Sequence, residues 1–248
     1  MTLAQMQTIA IIGQKGGTGK TTLVTVLAVA AELAGKVTAA IDLDPQVSLC
    51  KWGDRRQSDN PIIVDSQPAR LSHALAAAEK QGVDLAIIDT AGRTEQATLL
   101  AAKAADLVIL PFQPSVADLD TLESTLDVLR LAGRCIKLAV INRAKSQGHR
   151  ERETAAWLKK ADLPVCPIML GDRITYQDAY AAGQTPLEFA PTSKAAEEGR
   201  RVFEVVHRVL DEITRARNHD QEPPRDQRRH GQRRRQPQRQ RVRTATGA

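Results

Sequence analysis

The sequence predicts a doubly wound α/β domain built on a mostly parallel sheet, and three observations carry that prediction. Short apolar runs that suit strands covered on both faces recur along the chain, at 8–12, 37–41, 62–64, 85–89, 107–110 and 138–141. Stretches with apolar residues at three- and four-residue intervals alternate with them. A glycine-rich run, GQKGGTGKTT at 13–22, joins the first strand to the first helix.

After that run, Leu23, Val26, Leu27, Ala30 and Leu33 mark an amphipathic helix that stops at Gly35. The strand 37–41 follows and ends in Asp42-Leu43-Asp44-Pro45, which completes a βαβ unit. Such a unit demands a parallel sheet with a right-handed crossover, and ligands then bind beyond the carboxyl ends of the strands. The alternation continues with a helix at 69–81, the strand ending in Asp89, and a helix at 95–105. Helices at 116–131 and 150–161 flank the strand 138–141, and 164–169 reads as a last strand. From 193 to 217, Ala196, Val202, Val205, Val206, Val209, Leu210 and Ile213 recur at helical spacing, so a closing helix packs one face on the body. Beyond Glu222 the Pro223-Pro224 pair opposes further helix.

Charge separates a body from a tail. Residues 1–214 carry 24 Lys and Arg against 26 Asp and Glu, whereas 215–248 carry 11 against 3, a net of +8. We read 1–217 as one domain and 218–248 as a disordered, arginine-rich tail whose composition cannot bury enough surface to fold alone. Either that tail is a solvated extension, or it binds polyanions without regard to sequence. Cys50, Cys135 and Cys166 have no metal-ligand or disulfide-framework spacing and read as thiols in a reducing cytosol. No signal peptide is expected at the N-terminus, and no apolar run reaches the ~18 residues needed to span a bilayer. A cytoplasmic protein is expected.

The run 13–22 carries the chemistry. Its glycines let the backbone curl so that N–H groups point inward on a phosphate, Lys20 adds a positive charge, and Thr21 offers a hydroxyl to a magnesium ion. The general pattern asks for glycine where this chain has Gln14, but Gly16, Gly17 and Gly19 keep the loop flexible. Lys15 lies inside the loop and cannot easily reach a phosphate that the same loop encloses, so its natural target belongs to another subunit. Asp42, Asp44 and Asp89 end strands on the same sheet edge. Magnesium prefers oxygen ligands and keeps several waters, so Asp89 fits an outer-sphere carboxylate opposite Thr21. A nucleoside triphosphate site is the reading. A helix cap or turn role for Asp89, and a turn role for Asp44 before Pro45, are the structural alternatives.

These motifs resemble the deviant Walker-A ATPases of the ParA/MinD family, P-loop NTPases, over about residues 8–213. Lys15–Thr22 (KGGTGKTT), Asp42–Leu49 (DLDPQVSL), Ile87–Gly92 (IIDTAG), Ile141-Asn142 and 186–198 (PLEFAPTSKAAEE) carry the resemblance. It implies ATP and Mg2+ as cofactors, held by Gly16, Gly17, Thr18, Gly19, Lys20, Thr21 and Thr22, with Thr21, Asp42 and Asp89 toward the metal. It also implies an ATP-sandwich homodimer in which Lys15 crosses to the partner's ATP, Lys20 stabilises the transferred phosphoryl group, and Asp44 orients the attacking water. Asn142 and the loop after Pro167 resemble the family's adenine pocket, although a strand-ending Asn is often only a cap. The sequence DTAGR at 89–93 also resembles the signal-recognition-particle GTPases, but no guanine-reading acid follows Asn142, so adenine is favoured.

Among family members, the iron–sulfur relatives need cysteines this chain lacks, and the arginine-rich end offers no apolar membrane helix, so no membrane insertion is expected. The phosphate loop begins too early for a preceding helix-turn-helix domain. What the resemblance implies is the short ParA type: a slow, partner-stimulated ATPase that binds nucleoid DNA nonspecifically and positions or segregates a plasmid or chromosome through a ParB-like adaptor. A protein cargo, such as a carboxysome or chemoreceptor cluster, is the nearest alternative, and a nucleotide-binding module without turnover is another. Arg143, Lys145, Arg150, Arg152, Arg200, Arg201, Arg208 and Arg215 are candidate DNA contacts, although such a residue is more often an ordinary surface charge.

Overall fold

Six parallel strands form one sheet in the order β3-β2-β4-β1-β5-β6. The computed structural model describes residues 5–92, 94–115, 121–133, 135–145 and 148–221. The strands are β1 (Gln7–Ile11), β2 (Thr38–Asp42), β3 (Ile62–Asp65), β4 (Leu85–Asp89), β5 (Leu107–Phe112) and β6 (Ile136–Ile141). Their apolar runs are buried on both faces, with Ile9, Ile11, Ile41, Ile87 and Ile88 fully enclosed. Each such side chain contributes about 2 kcal/mol of burial.

Helices cover the two faces. On one, α3 (Leu71–Lys80), α4 (Glu95–Ala104), α5 (Leu122–Leu131) and α6 (His149–Lys160) place Leu71, Ala101, Leu129 and Leu158 in a core with Ala10, Ile88, Val108 and Ile141. The other face receives α1 (Lys20–Leu33), which contacts β2 and β4. A Cβ on Gly199 would stand 2.9 Å from Val26 Cγ1 and 3.1 Å from Leu187 Cδ1, so the long closing helix, α9 (Lys194–Gln221), crosses α1 at a glycine-sized contact. The remaining helices, α2 (Ser48–Gly53), α7 (Ile174–Ala181) and α8 (Pro186–Phe189), were not expected from apolar periodicity.

Met1–Leu210 make one compact unit and Asp211–Ala248 a second, whose described part is helical through Gln221. The start of the expected helix 116–131, the Pro223-Pro224 stop and the arginines from Arg225 onward lie outside the described residues. Among the described residues no helix is long and apolar enough to cross a membrane.

One expectation is corrected. The run 164–169 is not a strand: it meets the sheet only through the isolated bridge Ala139↔Val165, with a second bridge at Ala144↔Gly171. Pro164 and Pro167 have no N–H to give, so this edge segment cannot complete a ladder. It follows β6 through three bonds instead: Ala139 N–H to Pro164 O at 2.7 Å, Cys166 N–H to Ala139 O at 2.8 Å and Leu170 N–H to Ile141 O at 2.9 Å.

The register sets up the site. Asp42 pairs with Asp65 on one side and Asp89 on the other, and Asp89 pairs with Ile11, the last residue of β1. Three carboxylates and the glycine loop therefore leave the sheet on one edge, at the carboxyl ends where open α/β sheets bind ligands.

Candidate nucleotide site

The loop between β1 and α1 takes the shape its glycines permit. Gly17 and Gly19 have φ of 78° and 89°, in the left-handed region that other residues avoid. Gly19 caps α1 without a side chain, and the first turn of α1 holds no acidic residue. The positive end of the helix dipole is thus left to an anionic ligand. Asn142, at the end of β6, fixes the loop from the side. Its Nδ2 donates to Thr18 O at 2.8 Å, and its Oδ1 accepts from Arg143 N–H at 2.9 Å.

Lys20 is buried, and its ammonium donates to Lys15 O at 3.1 Å. Burial lowers its pKa, while Asp89 and then Asp44 act to raise it. Thr21 Oγ1 donates to Asp89 Oδ2 at 2.7 Å. Asp89 Oδ1 is buried and, among the described residues, has no hydrogen-bond partner. Its carboxyl pKa is pushed up to about 7, first by burial and further by Asp42 and Asp44, against the lowering effects of the Thr21 bond and Lys20. A buried carboxylate oxygen without a donor, beside a threonine hydroxyl, suits a hydrated divalent cation. Among the described residues no cluster of three or more His, Cys, Asp or Glu side chains is placed to hold a metal.

Asp42 is engaged by its own chain. Its Oδ1 accepts from Asp44 N–H at 2.9 Å, and its Oδ2 accepts from Leu49 and Cys50 N–H at 3.0 and 3.1 Å. Burial raises its pKa, and these backbone bonds counter the rise. Asp42 therefore shapes the loop that carries Asp44 and opens α2. Asp44 itself accepts from Gln46 N–H at 2.9 Å and lines the cavity described next.

A cavity of about 800 Å³ collects Gly16, Gly17, Gly19, Lys20, Thr21 and Thr22 from the loop, Asp44 from the β2 end, and Asn142 from the β6 end. Its far wall is Gly171, Asp172, Arg173, Tyr176 and Tyr180, which sequence reasoning did not single out. The signal for that wall was only the expected base-pocket loop after Pro167. Pro167 itself is exposed and outside the lining, and the loop it leads into supplies the contact surface. Glu198 braces the wall by accepting from Gly171 N–H and Arg173 Nε, each at 3.0 Å. Arg143, a candidate DNA contact or surface charge in the sequence, also lines this cavity and pairs with Asp172 at 3.7 Å.

Lys15 does not line this cavity. It lines a second cavity of about 340 Å³ with Gln14, Gly92, Thr94, Glu95, Thr98 and Thr121. A Cβ on Gly92 would come within 3.2 Å of Gln14 O and 3.3 Å of Gly16 N, so the loop after β4 is pressed against the phosphate loop. Of the basic residues expected to meet DNA, Lys145, Arg150, Arg152, Arg200, Arg201 and Arg208 are exposed or half-buried in the first unit, and Arg215 is exposed in the second.

Known proteins resemble this chain in sequence and in fold. "Maintenance of carboxysome distribution protein A" of Halothiobacillus neapolitanus is 23% identical over 215 residues, covering 83% of this chain and 95% of that protein. The septum site-determining protein MinD complexed with Mg-ADP, from Pyrococcus horikoshii, superposes with a TM-score of 0.67 at 21% identity, over 84% of this chain and 98% of that one. An ATP complex of McdA from Cyanothece also gives 0.67, at 20% identity over 84% of this chain and 97% of that one. Residues 9–187 match the CobQ/CobB/MinD/ParA nucleotide binding domain. With its phosphate loop, its in-register Asp42 and Asp89, and that match over most of its length, the chain belongs to the CobQ/CobB/MinD/ParA nucleotide-binding family.

Proposed function

We propose that this chain is an ATPase that binds Mg-ATP in the larger cavity, dimerises on it, and uses the cycle to position a cargo on DNA. The observation that carries the reading is the Thr21–Asp89 pair, in which Thr21 lines the cavity and Asp89 Oδ1 is buried without a partner among the described residues. Thr21 and Asp89 would hold hydrated magnesium, which neutralises charge on the phosphate oxygens when bound. Lys20 would leave its resting bond to Lys15 O and meet the phosphates. Asp44, at the cavity edge, would orient the water whose oxygen attacks the terminal phosphorus as the bond to ADP breaks. Asn142 and the wall from Gly171 to Tyr176 form the base side, and adenine is the base. Asp42 acts through the loop it organises, and it would stand nearer the metal than Asp44.

Lys15 lines its own cavity rather than the nucleotide one, which supports its reaching the ATP of a second copy. The exposed arginines and the charge of 218–248 support nonspecific, nucleoid-associated DNA binding by a cytoplasmic protein. Residues 1–217 would be the ATPase and 218–248 an added polyanion-binding arm. Cargo is engaged through an adaptor, with a ParB-like protein for a plasmid or chromosome. The carboxysome-distribution relative favours a second reading, in which the cargo is a protein assembly.

The test is single-turnover hydrolysis of Mg-ATP by the full chain and by Asp44→Ala. The expected result is slow turnover in the first and a loss of about 100-fold in the second, with ADP affinity retained. Unchanged hydrolysis in Asp44→Ala would remove the water-orienting role, and no turnover in the natural chain would favour a nucleotide-binding module.

A further inference from the structure

Val47, three residues after Asp44 and directly before α2, has φ 48° and ψ 41°. That is left-handed backbone, which a β-branched residue adopts only under constraint. The constraint comes from several sides. Val47 N–H donates to Asp44 O at 2.8 Å. Asp42 accepts from Leu49 and Cys50 N–H on the inner side of the turn. From across the nucleotide cavity, the Tyr180 hydroxyl donates to Ser48 O at 2.7 Å.

The rest of α2 is fastened to the same corner of the fold. Trp52 Nε1 donates to Gln184 O at 3.1 Å, and the Arg56 guanidinium, stacked 4.5 Å over the Trp52 ring, donates to Gly183 O at 3.0 Å and pairs with Glu188 at 2.9 Å. Gly183, with φ 68°, would bring a Cβ within 2.5 Å of the Arg55 carbonyl carbon, so the two backbones touch there. These contacts hold residues 52–56. Of the contacts from this corner, the Tyr180 bond lies nearest the turn, because its acceptor Ser48 opens α2 directly after Val47. Tyr180 and Ser48 both line the nucleotide cavity, and Tyr180 lies one helical turn from Tyr176 on α7, the base-side helix.

We infer that Tyr180 is a positioning residue for Asp44: its hydroxyl anchors Ser48 and so holds the left-handed Val47 turn that presents Asp44 to the phosphate side of the cavity. This rests on the reading of Asp44 as the residue that orients water. Tyr180 touches no reacting atom in this role. It ties the hydrolytic loop to the helix that walls the base side, so the two ends of the site are set by one rigid corner.

The experiment measures single-turnover hydrolysis and ADP affinity on the full chain with Mg-ATP. Tyr180→Phe removes one hydroxyl and is expected to lower hydrolysis about fivefold, with ADP affinity within about twofold of the natural chain. Val47→Asn introduces a residue that tolerates left-handed backbone, and in the Tyr180→Phe background it is expected to restore about half of the lost rate or more. A general packing defect around Tyr180 would not be rescued by a substitution whose effect is to relieve left-handed backbone at Val47. A natural rate in Tyr180→Phe, or a loss that Val47→Asn leaves untouched, overturns the inference. Asp44→Ala, run in parallel, separates the two failures: if it hydrolyses normally, the reading of Asp44 has failed, and if it is inactive while Tyr180→Phe is not, only the role of Tyr180 has failed.

Discussion

The side-chain nitrogen of Asn142 occupies the space a Cβ on Gly19 would need: the two would stand 2.0 Å apart, and that nitrogen is already bonded to Thr18 O at 2.8 Å. Gly19 is thus required twice, by its φ of 89° and by the amide that fixes the loop beside it. Gly19→Ala should weaken ADP binding by at least about tenfold, from left-handed strain alone at roughly 1–2 kcal/mol and then from displacement of Asn142. Calorimetric titration with ADP checks it, and binding at natural affinity would contradict the close approach. Asn142→Ala separates the anchoring bond from the proposed adenine contact. Loss of the anchor should weaken inorganic tripolyphosphate and ATP together, and a base contact should weaken ATP further.

Lys15→Ala addresses the second cavity. Lys15 does not line the larger, nucleotide-sized space, so its removal should leave ATP affinity within about threefold of the natural chain, as for a group that makes no ground-state contact with its own ligand. Sedimentation in saturating Mg-ATP should then find only monomer where the natural chain dimerises. A Lys15→Ala protein that still dimerises on ATP would refute the crossing lysine.

How far the site could be read from the sequence depends on how locally each part is encoded. The loop at 13–22, Asp42 and Asp89 lie at ends of short apolar strands, and a parallel sheet brings such ends to one edge whatever the intervening lengths; the in-register pairing of Asp42 with Asp89 follows. The wall at Gly171–Tyr180 is different. Its residues return to the loop from about 150 positions away, with no periodicity or spacing to announce them. The run 164–169 has a strand's hydropathy, but two prolines deny it the ladder. Helix α2 has six residues and begins after a left-handed valine, so neither periodicity nor a cap residue marks it. Arg143 has a φ of 53° at the end of β6, a geometry that lets it line the cavity and that its charge alone does not reveal.

Asp89 gives the nucleotide-free protein a pH dependence whose sign follows from its environment. Its carboxyl is pushed up to about 7 from the ordinary value of 3.8, mainly by burial, so the folded state holds this proton more tightly than the unfolded chain. Between about pH 4 and 7 the unfolded chain binds fewer protons, and the contribution of Asp89 to stability falls as pH rises through that window. Asp89→Asn removes the buried charge while keeping an oxygen that can accept from Thr21. In magnesium-free buffer it should melt above the natural chain at pH 8, by about 10 °C for about 4 kcal/mol, and the advantage should shrink toward pH 4. Added Mg-ATP should stabilise the natural chain more than the variant. An advantage that does not change with pH would mean that Asp89 does not titrate in this range.

The arginine-rich end allows a separation of affinity from control. Nine arginines lie within residues 225–243, and their charge is the same with or without ATP. Neutralised DNA phosphates release counterions, so each contact adds about 0.9 to the slope of log affinity against log salt. Deleting residues 218–248 should therefore lower DNA affinity and flatten that slope by several units. What remains has exposed Arg150, Arg152 and Arg201 and the whole nucleotide cavity, so any dependence on ATP must reside there. Fluorescence anisotropy of a labelled duplex, titrated at several salt concentrations with and without Mg-ATP, reads both quantities. The expected result for the truncated chain is weaker binding that still requires ATP. Equal binding in the two nucleotide conditions would place no switch in the body, and an unchanged salt slope would show that the arginines of the tail do not touch DNA.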